Sequence, residues 1–272
     1  MNVSGVDVVN WNPKRRILPD PWGKVLRVKR SVNNFGDLLG PMIVRELVRR
    51  MAGRAARHGM GQPASARLLS VGSILHLARS NDVVWGSGAN GKSLHRVPPK
   101  DLDIRAVRGP LTRAFLLEHG IDAPEVFGDP GLLVGHLWGR KELRRDRPAR
   151  SVTIVPNLND LPAYRADARI LDPRRPLAFC LSTIAASDLV VGSSLHAVIV
   201  AESLGIPARL IHSSHEPELK YRDYYLGSGR EEIASASSVS EAIEMGGAAP
   251  LTWDHTPLLR AFPQDLWSMV PS

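Results

Sequence analysis

The apolar positions of this chain fall into short runs set between stretches with helical spacing. "LLSVG" (68–72), "DVVWGSG" (82–88) and "DIRAV" (103–107) are strand-length runs bounded by turn residues, a pattern that predicts buried strands. After the third run, "RGPLTRAFLLEHG" puts Pro110 where a first helical turn tolerates it and Gly120 where a helix ends. "PEVFGDP" (124–130) predicts a further short strand. In the second half, "SVTIVPN" (151–157), "ARILD" (168–172), "DLVVG" (188–192) and "ARLIH" (208–212) predict strands with helices between them. This alternation predicts an α/β fold with parallel sheets and crossover helices. The segment "LWGRKELRRDRPARS" (137–151) is dense in charge and carries a proline. It reads either as the seam between two α/β domains, residues 1–140 and 148–272, or as a surface excursion of one continuous sheet. The tail "PLLRAFPQDLWSM" (257–269), interrupted at Pro263, predicts a terminal helix packing back on the first domain.

Open α/β sheets bind ligands beyond the carboxyl ends of their strands, which singles out four stretches. "NNFGDLLGPMIVRELVRR" (33–50) opens on Gly36 and Asp37 and continues with Leu38, Met42, Ile43, Leu47 and Val48 near helical spacing. Asp37 reads as a helix N-cap or as a cleft carboxylate that acts as a base toward a hydroxyl. "WGSGANGKS" (85–93) is a glycine-rich turn after a strand, where backbone N–H groups at Gly86, Ser87 and Gly88 can approach an anion. Its spacing to Lys92 and Ser93 is not that of a Walker motif. Arg108 ends a strand just before a helix. It reads as a surface arginine paired with a neighbour such as Asp103, or as a phosphate or carboxylate clamp. In "SDLVVGSSLHAVIVAESLGIP" (187–207), Ser193 or Ser194 can cap a helix that starts near Leu195, placing His196 in its first turn. Val198, Ile199 and Leu204 already supply the apolar face, so His196 reads better as a cleft residue than as a core one. No G-x-S-x-G elbow surrounds the serines, which argues against a hydrolase nucleophile.

A net charge of +8 favours acidic partners, yet with 6% aromatic residues and no basic–aromatic interleaving nucleic acid is not expected. Cys180, the single cysteine, excludes an internal disulfide and fits a reducing compartment. The first residues hold no apolar core of signal-peptide length, and no apolar run is long enough to span a bilayer. A cytoplasmic location is expected, with the basic surface available to the inner membrane face. His212, His215 and Glu216 lie close together, but no second cluster has zinc spacing, and no metal is expected. "HSSHEPELKYRDYY" (212–225), with Glu216, Lys220 and Arg222, reads as a solvated loop or as a substrate-contacting segment.

Taken in series, "NFGDLLGP", "WGSG", "RGPLTRAFLLEHGI", "FGDPGLLV", "SSLHAVIVAESLGIP" and "EPELKYRDYY" resemble the polysaccharide pyruvyl transferase family between residues 33 and 227. The "WGSG" and "KYRDYY" forms are most similar to its exopolysaccharide branch. The resemblance implies an enzyme that moves pyruvate from phosphoenolpyruvate onto two hydroxyls of a sugar as a cyclic ketal, with no cofactor. It implies two Rossmann-like lobes facing a central cleft, similar to the GT-B type. By motif position Asp37, Arg108, His196 and Lys220 fall in the active site, with Gly36, Gly86, Ser87, Gly88, Ser193, Ser194 and Glu216 on the substrate. Many members carry arginine directly before the Leu-His pair where this chain has Ser194, so donor-binding charge is expected from Lys220, Arg222 or Arg113. On this reading His196 is the general acid, Asp37 the base, and Arg108 with the helix start at 193–195 holds phosphoenolpyruvate. The expected acceptor is a lipid-linked sugar or oligosaccharide. Two alternatives stay open: a GT-B glycosyltransferase using a nucleotide sugar, and a non-catalytic relative that binds saccharide or a membrane surface.

Overall fold

A computed structural model describes residues 1–16, 29–55, 66–164 and 167–267. The chain begins with a tight hairpin of β1 (Asn2–Val3) and β2 (Val6–Val9), followed by the antiparallel pair β3 (Lys14–Arg16) and β4 (Lys29–Ser31). The long helix α1 (Phe35–Ala55) leads to β5 (Arg67–Leu69), β6 (Val83–Trp85) and β7 (Asp103–Ala106). Helices α2 (Pro110–Glu118) and α3 (Val134–Arg144) precede β8 (Arg150–Ile154). Then come α4 (Leu161–Tyr164), α5 (Leu177–Ala185), β9 (Ser187–Gly192), α6 (Leu195–Ser203) and β10 (Ala208–Leu210). Helices α7 (Leu219–Gly227), α8 (Val239–Met245) and α9 (Thr256–Arg260) follow.

The strands form one sheet in the order β1-β2-β5-β6-β7 and a second in the order β10-β9-β8. Within these two sheets every pairing is parallel except β1 with β2. Parallel strands are covered on both faces, which is why Leu68, Leu69, Val83, Val84, Trp85, Val190 and Val191 are continuous buried runs. β7 lies at the edge and is more polar, with Arg105 bridging Asp103 (2.6 Å) and Asp265 (2.9 Å). The fold is thus mixed α/β with parallel sheets.

Two expected strands are reduced to single bridges, Val107 to Phe127 and Ile154 to Ile170. Pro130 has no N–H to pair and opens a 3-10 turn over Pro130–Leu133. At "ARILD" the Asp172 carboxylate turns the chain by accepting from the Arg174 N–H (2.9 Å), so pairing stops after one residue. The charged segment after residue 137 carries α3, kinked at Gly139 (φ 72). Arg140 ties that helix to the end of α5 by donating to the carbonyls of Ala185 (3.0 Å) and Ser187 (2.9 Å). A cation there also complements the negative helix end.

One apolar cluster runs from Val3, Phe35, Leu39 and Ile43 through Leu132–Val134 to Ala197–Ala201 and Trp267. Helix α6 lies within it, buried over Ala197–Ala201, and its position is set by packing rather than by a polar stripe. The tail forms α9 and a 3-10 turn at Gln264–Trp267, held by a hydrogen bond from Trp267 Nε1 to the Val3 carbonyl (3.0 Å). Ser268 and Met269, the end of the tail pattern, lie outside the described residues. Among the described residues no helix is long and apolar enough to cross a membrane.

Candidate active site

A cleft of about 430 Å³ opens where the segments after β5, β6, β8, β9 and β10 converge with the start of α1. Asn34, Asp37, Ser73, His76 and Lys92 line it from one side, and Asn157, Asn159, Ser194, His196, Glu216 and Lys220 from the other. This is the carboxyl edge of both sheets, where open α/β folds bind ligands.

Asn33, in the left-handed region (φ 55), turns the chain into α1. Asn34 Nδ2 donates to Asp37 Oδ2 (2.7 Å), and Asp37 sits inside the first turn rather than at an N-cap. Burial pushes its pKa up to about 7, against the Asn34 hydrogen bond and the Lys220 charge, with Glu216 adding to the rise.

β9 ends at Gly192, whose φ of 149 lets the chain pass against the Val155 backbone. Ser193 is then drawn inward: its Oγ donates to Asp160 Oδ2 (2.5 Å) and accepts from the Asn157 N–H (3.1 Å). Ser193 is therefore a wall-building residue. Ser194 takes the N-cap position of α6, makes no side-chain capping bond, and faces the cleft. His196, two residues on, lies directly over Gly36, where an added methyl carbon would overlap the imidazole Nδ1. Gly36 thus acts by letting α1 and α6 meet. Nε2 of His196 has no exposed surface and no hydrogen-bond partner among the described residues. Burial first, then the charges of Lys220 and Arg108, depresses the His196 pKa to about 3, so the ring is neutral.

Glu216 joins both sides of the cleft. Its Oε1 accepts from Lys92 Nζ (2.8 Å) and Asn159 Nδ2 (2.7 Å), and its Oε2 from Lys220 Nζ (2.9 Å). Burial lowers the Lys220 pKa despite the Glu216 charge. For Glu216 burial pulls upward but is outweighed by Lys220 and the three hydrogen bonds, leaving its pKa low.

Arg108 departs from the expected clamp. It is 1% exposed and its fork is committed: Nε donates to Asp223 Oδ2 (3.0 Å), Nη1 to Ser73 Oγ (2.6 Å) and Nη2 to the Ala89 carbonyl (3.1 Å). The guanidinium stands behind the cleft wall and does not line it, and Asp103 pairs with Arg105 instead. Gly88 leaves room for it, since a methyl group there would overlap the guanidinium. Gly86 packs on Pro130, and Ser87 is buried with its Oγ on the Gly72 carbonyl (3.0 Å), so both support the loop from beneath. Arg113 donates to the Ala123 carbonyl (2.8 Å) and pairs with Glu125 (3.2 Å), away from the cleft. Arg222 lines a separate surface pocket with Glu218, Glu231 and Glu232. Lys220 and Glu216 are in the cleft, whereas Arg113 and Arg222 bring it no charge.

Sequence reasoning missed Asn34, Lys92, Asn157, Asn159, Asp160 and Asp223 as parts of the site or its walls. Asn157 ends an expected strand, and that position was the available signal. His215, considered beside Glu216 for a metal, instead bonds Asp160 Oδ1 through Nδ1 (2.6 Å).

The polysaccharide pyruvyl transferase family model matches residues 8–215. The succinoglycan biosynthesis protein ExoV of Rhizobium meliloti (strain 1021) is 30% identical over 168 residues, covering 58% of this chain and 52% of that protein. The chain therefore spans about half the length of that curated relative. The crystal structure of an uncharacterized protein from Klebsiella pneumoniae subsp. pneumoniae NTUH-K2044 is 12% identical and covers 76% of this chain and 90% of its own. Its TM-score of 0.45 is too low to assign a fold type. Matched over residues 8–215, which contain both the first turn of α1 and the start of α6, this chain belongs to the polysaccharide pyruvyl transferase family.

Proposed function

We propose that the chain transfers pyruvate from phosphoenolpyruvate onto two hydroxyls of a sugar in an exopolysaccharide precursor, forming a cyclic ketal. The observation that carries this reading is the placement of Asp37 and His196 in the lining of one cleft, each in the first turn of its helix. Two groups facing one cleft are pushed in opposite directions, a carboxyl toward protonation and an imidazole toward neutrality. Such divergence is how acid and base roles are divided in one site. Family membership supplies the reaction class, and the two parallel sheets flanking the cleft are compatible with two Rossmann-like lobes of GT-B-like arrangement.

In the proposed reaction a proton is added to the methylene carbon of phosphoenolpyruvate, and positive character develops at the adjacent carbon. One sugar hydroxyl attacks there and loses its proton. Phosphate then leaves, and the second hydroxyl closes the ketal with loss of a second proton. The sequence reading made His196 the acid and Asp37 the base, and burial favours the reverse. Asp37 holds a proton up to about pH 7 and so can donate one, while burial leaves His196 with none to donate in the free chain; His196 becomes an acceptor only as bound phosphate raises its pKa from about 3. Lys220 and Lys92 supply the positive environment that the departing phosphate needs, with Ser194 at the start of α6 in place of an arginine. Arg108 acts as a positioning residue through Ser73 and through its charge on His196.

With Asp37 as donor, kcat/KM is expected to hold below about pH 7 and fall above it as the carboxyl ionises. If Asp37 is the base, the rate rises through the same range. Phosphate esters titrate near pH 6, so the Asp37→Glu variant serves as the control, since it moves an enzyme limb and leaves the substrate's own in place.

The acceptor is proposed to be lipid-linked or oligosaccharide, met in the cytoplasm at the inner membrane face by a chain of net charge +8. The reading is tested by phosphate release from phosphoenolpyruvate that requires a saccharide acceptor. Release of nucleotide from a sugar donor in its place would favour a glycosyltransferase.

A further inference from the structure

The geometry points to an anion subsite formed by Lys92, Lys220 and Asn159, in which the carboxylate of Glu216 stands in for an anionic group of the ligand. The ligand chemistry is a carboxylate or a phosphate. Its identification with the donor rests on the function proposed above.

Three donors from three separate segments converge on the two oxygens of one carboxylate, at 2.7 to 2.9 Å. Lys92 comes from the glycine-rich loop after β6, Asn159 from the turn after β8, and Lys220 from the first turn of α7. Two ammonium groups and an amide around a carboxylate are the donor set that an anionic ligand requires. The contact that brings Lys92 within reach is made by Gly91, where an added methyl carbon would sit 2.6 Å from the Pro217 ring. All four side chains line the cleft.

Burial explains why an internal anion is needed. The side chain of Lys220 is 17% exposed and that of Glu216 12%, against 43% for Lys92. A largely buried ammonium without a counter-ion is costly, so Lys220 stays paired with Glu216. An entering anion exchanges with Glu216 at nearly constant local charge. Its affinity is lowered by that competition, and binding is coupled to withdrawal of Glu216 from both lysines.

The test is titration of the full chain with inorganic phosphate, and separately with pyruvate, by calorimetry. Glu216→Gln keeps the shape and removes the competing charge, so at least one of the two anions is expected to bind about tenfold tighter. Lys92→Gln, at a half-exposed position that leaves the fold intact, is expected to weaken the same anion about fivefold in either background. Binding by Glu216→Gln that is unchanged or weaker for both anions would overturn the proposal, as would indifference to Lys92→Gln. Should Glu216→Gln fail to fold, the Lys92→Gln result decides alone. The arms separate this inference from the proposed function. Glu216-sensitive phosphate binding without acceptor-dependent phosphate release overturns the function and keeps the subsite. Pyruvyl transfer with anion binding indifferent to Glu216 does the reverse.

Discussion

Replacing Asp223 by alanine is expected to destabilise the fold by about 3–5 kcal/mol, as breaking a buried ion pair does. Arg108 and Asp223 are 1% and 0% exposed and lie 3.0 Å apart. The Asp223 carboxylate also accepts from the Thr112 N–H (2.9 Å) and Thr112 Oγ1 (2.6 Å), so its loss strands a guanidinium and two further donors. Asp223 belongs to α7 while Arg108 and Thr112 flank the start of α2, so the pair also fastens α7 to the β7–α2 corner. The Arg108→Met/Asp223→Leu double variant removes both charges and should cost less than Asp223→Ala alone, since an uncompensated charge is the larger penalty. Urea denaturation measures both. A loss under about 1 kcal/mol for Asp223→Ala would mean that solvent reaches Arg108 and that it is not sealed behind the cleft wall.

The second large effect is on turnover. His196→Gln is expected to reduce kcat by about 10²–10⁴-fold, the usual worth of a positioned proton-transfer group. Gly36→Ala should produce a loss of the same order without replacing a titratable group, because the added methyl group overlaps the His196 side chain. Stability separates displacement of the ring from general damage. Alanine gains about 0.8–1 kcal/mol in helix propensity over glycine, against about 1–3 kcal/mol for overpacking. Gly36→Ala should therefore lose no more than about 2 kcal/mol of stability while losing nearly all its activity. In a His196→Ala background the same substitution should cost little stability. Full turnover by Gly36→Ala would separate the ring position from the chemistry and remove His196 from the proposed reaction.

Parts of this arrangement were legible in the sequence for physical reasons. Strands buried on both faces must be apolar throughout, and β6 and the Val190–Val191 stretch of β9 are readable as such. β2 escaped notice because only Val6 and Val8 face the core while Asp7 is exposed, an alternation too brief to stand out. The two segments read as strands but reduced to bridges show the converse, since an apolar run does not reveal whether a pairing partner continues beside it. Asp37 and His196 could be found because each falls in the first turn of a helix that enters the cleft. Arg108 was located at the correct strand end, but its direction depends on Asp223, 115 residues further along. The convergence of Lys92, Asn159 and Lys220 on Glu216 likewise exists only once three loops are folded together.

The most direct test of the central claim follows the carbon skeleton. Phosphoenolpyruvate labelled with carbon-13 at its central carbon is incubated with the chain and a lipid-linked or oligosaccharide acceptor, and the saccharide is recovered for NMR. The account predicts a ketal carbon joined to one methyl group and two sugar oxygens, formed one for one with released phosphate and lost in the His196→Gln variant. An unlabelled acceptor with no phosphate release, under conditions where a nucleotide sugar donor is consumed, would contradict it.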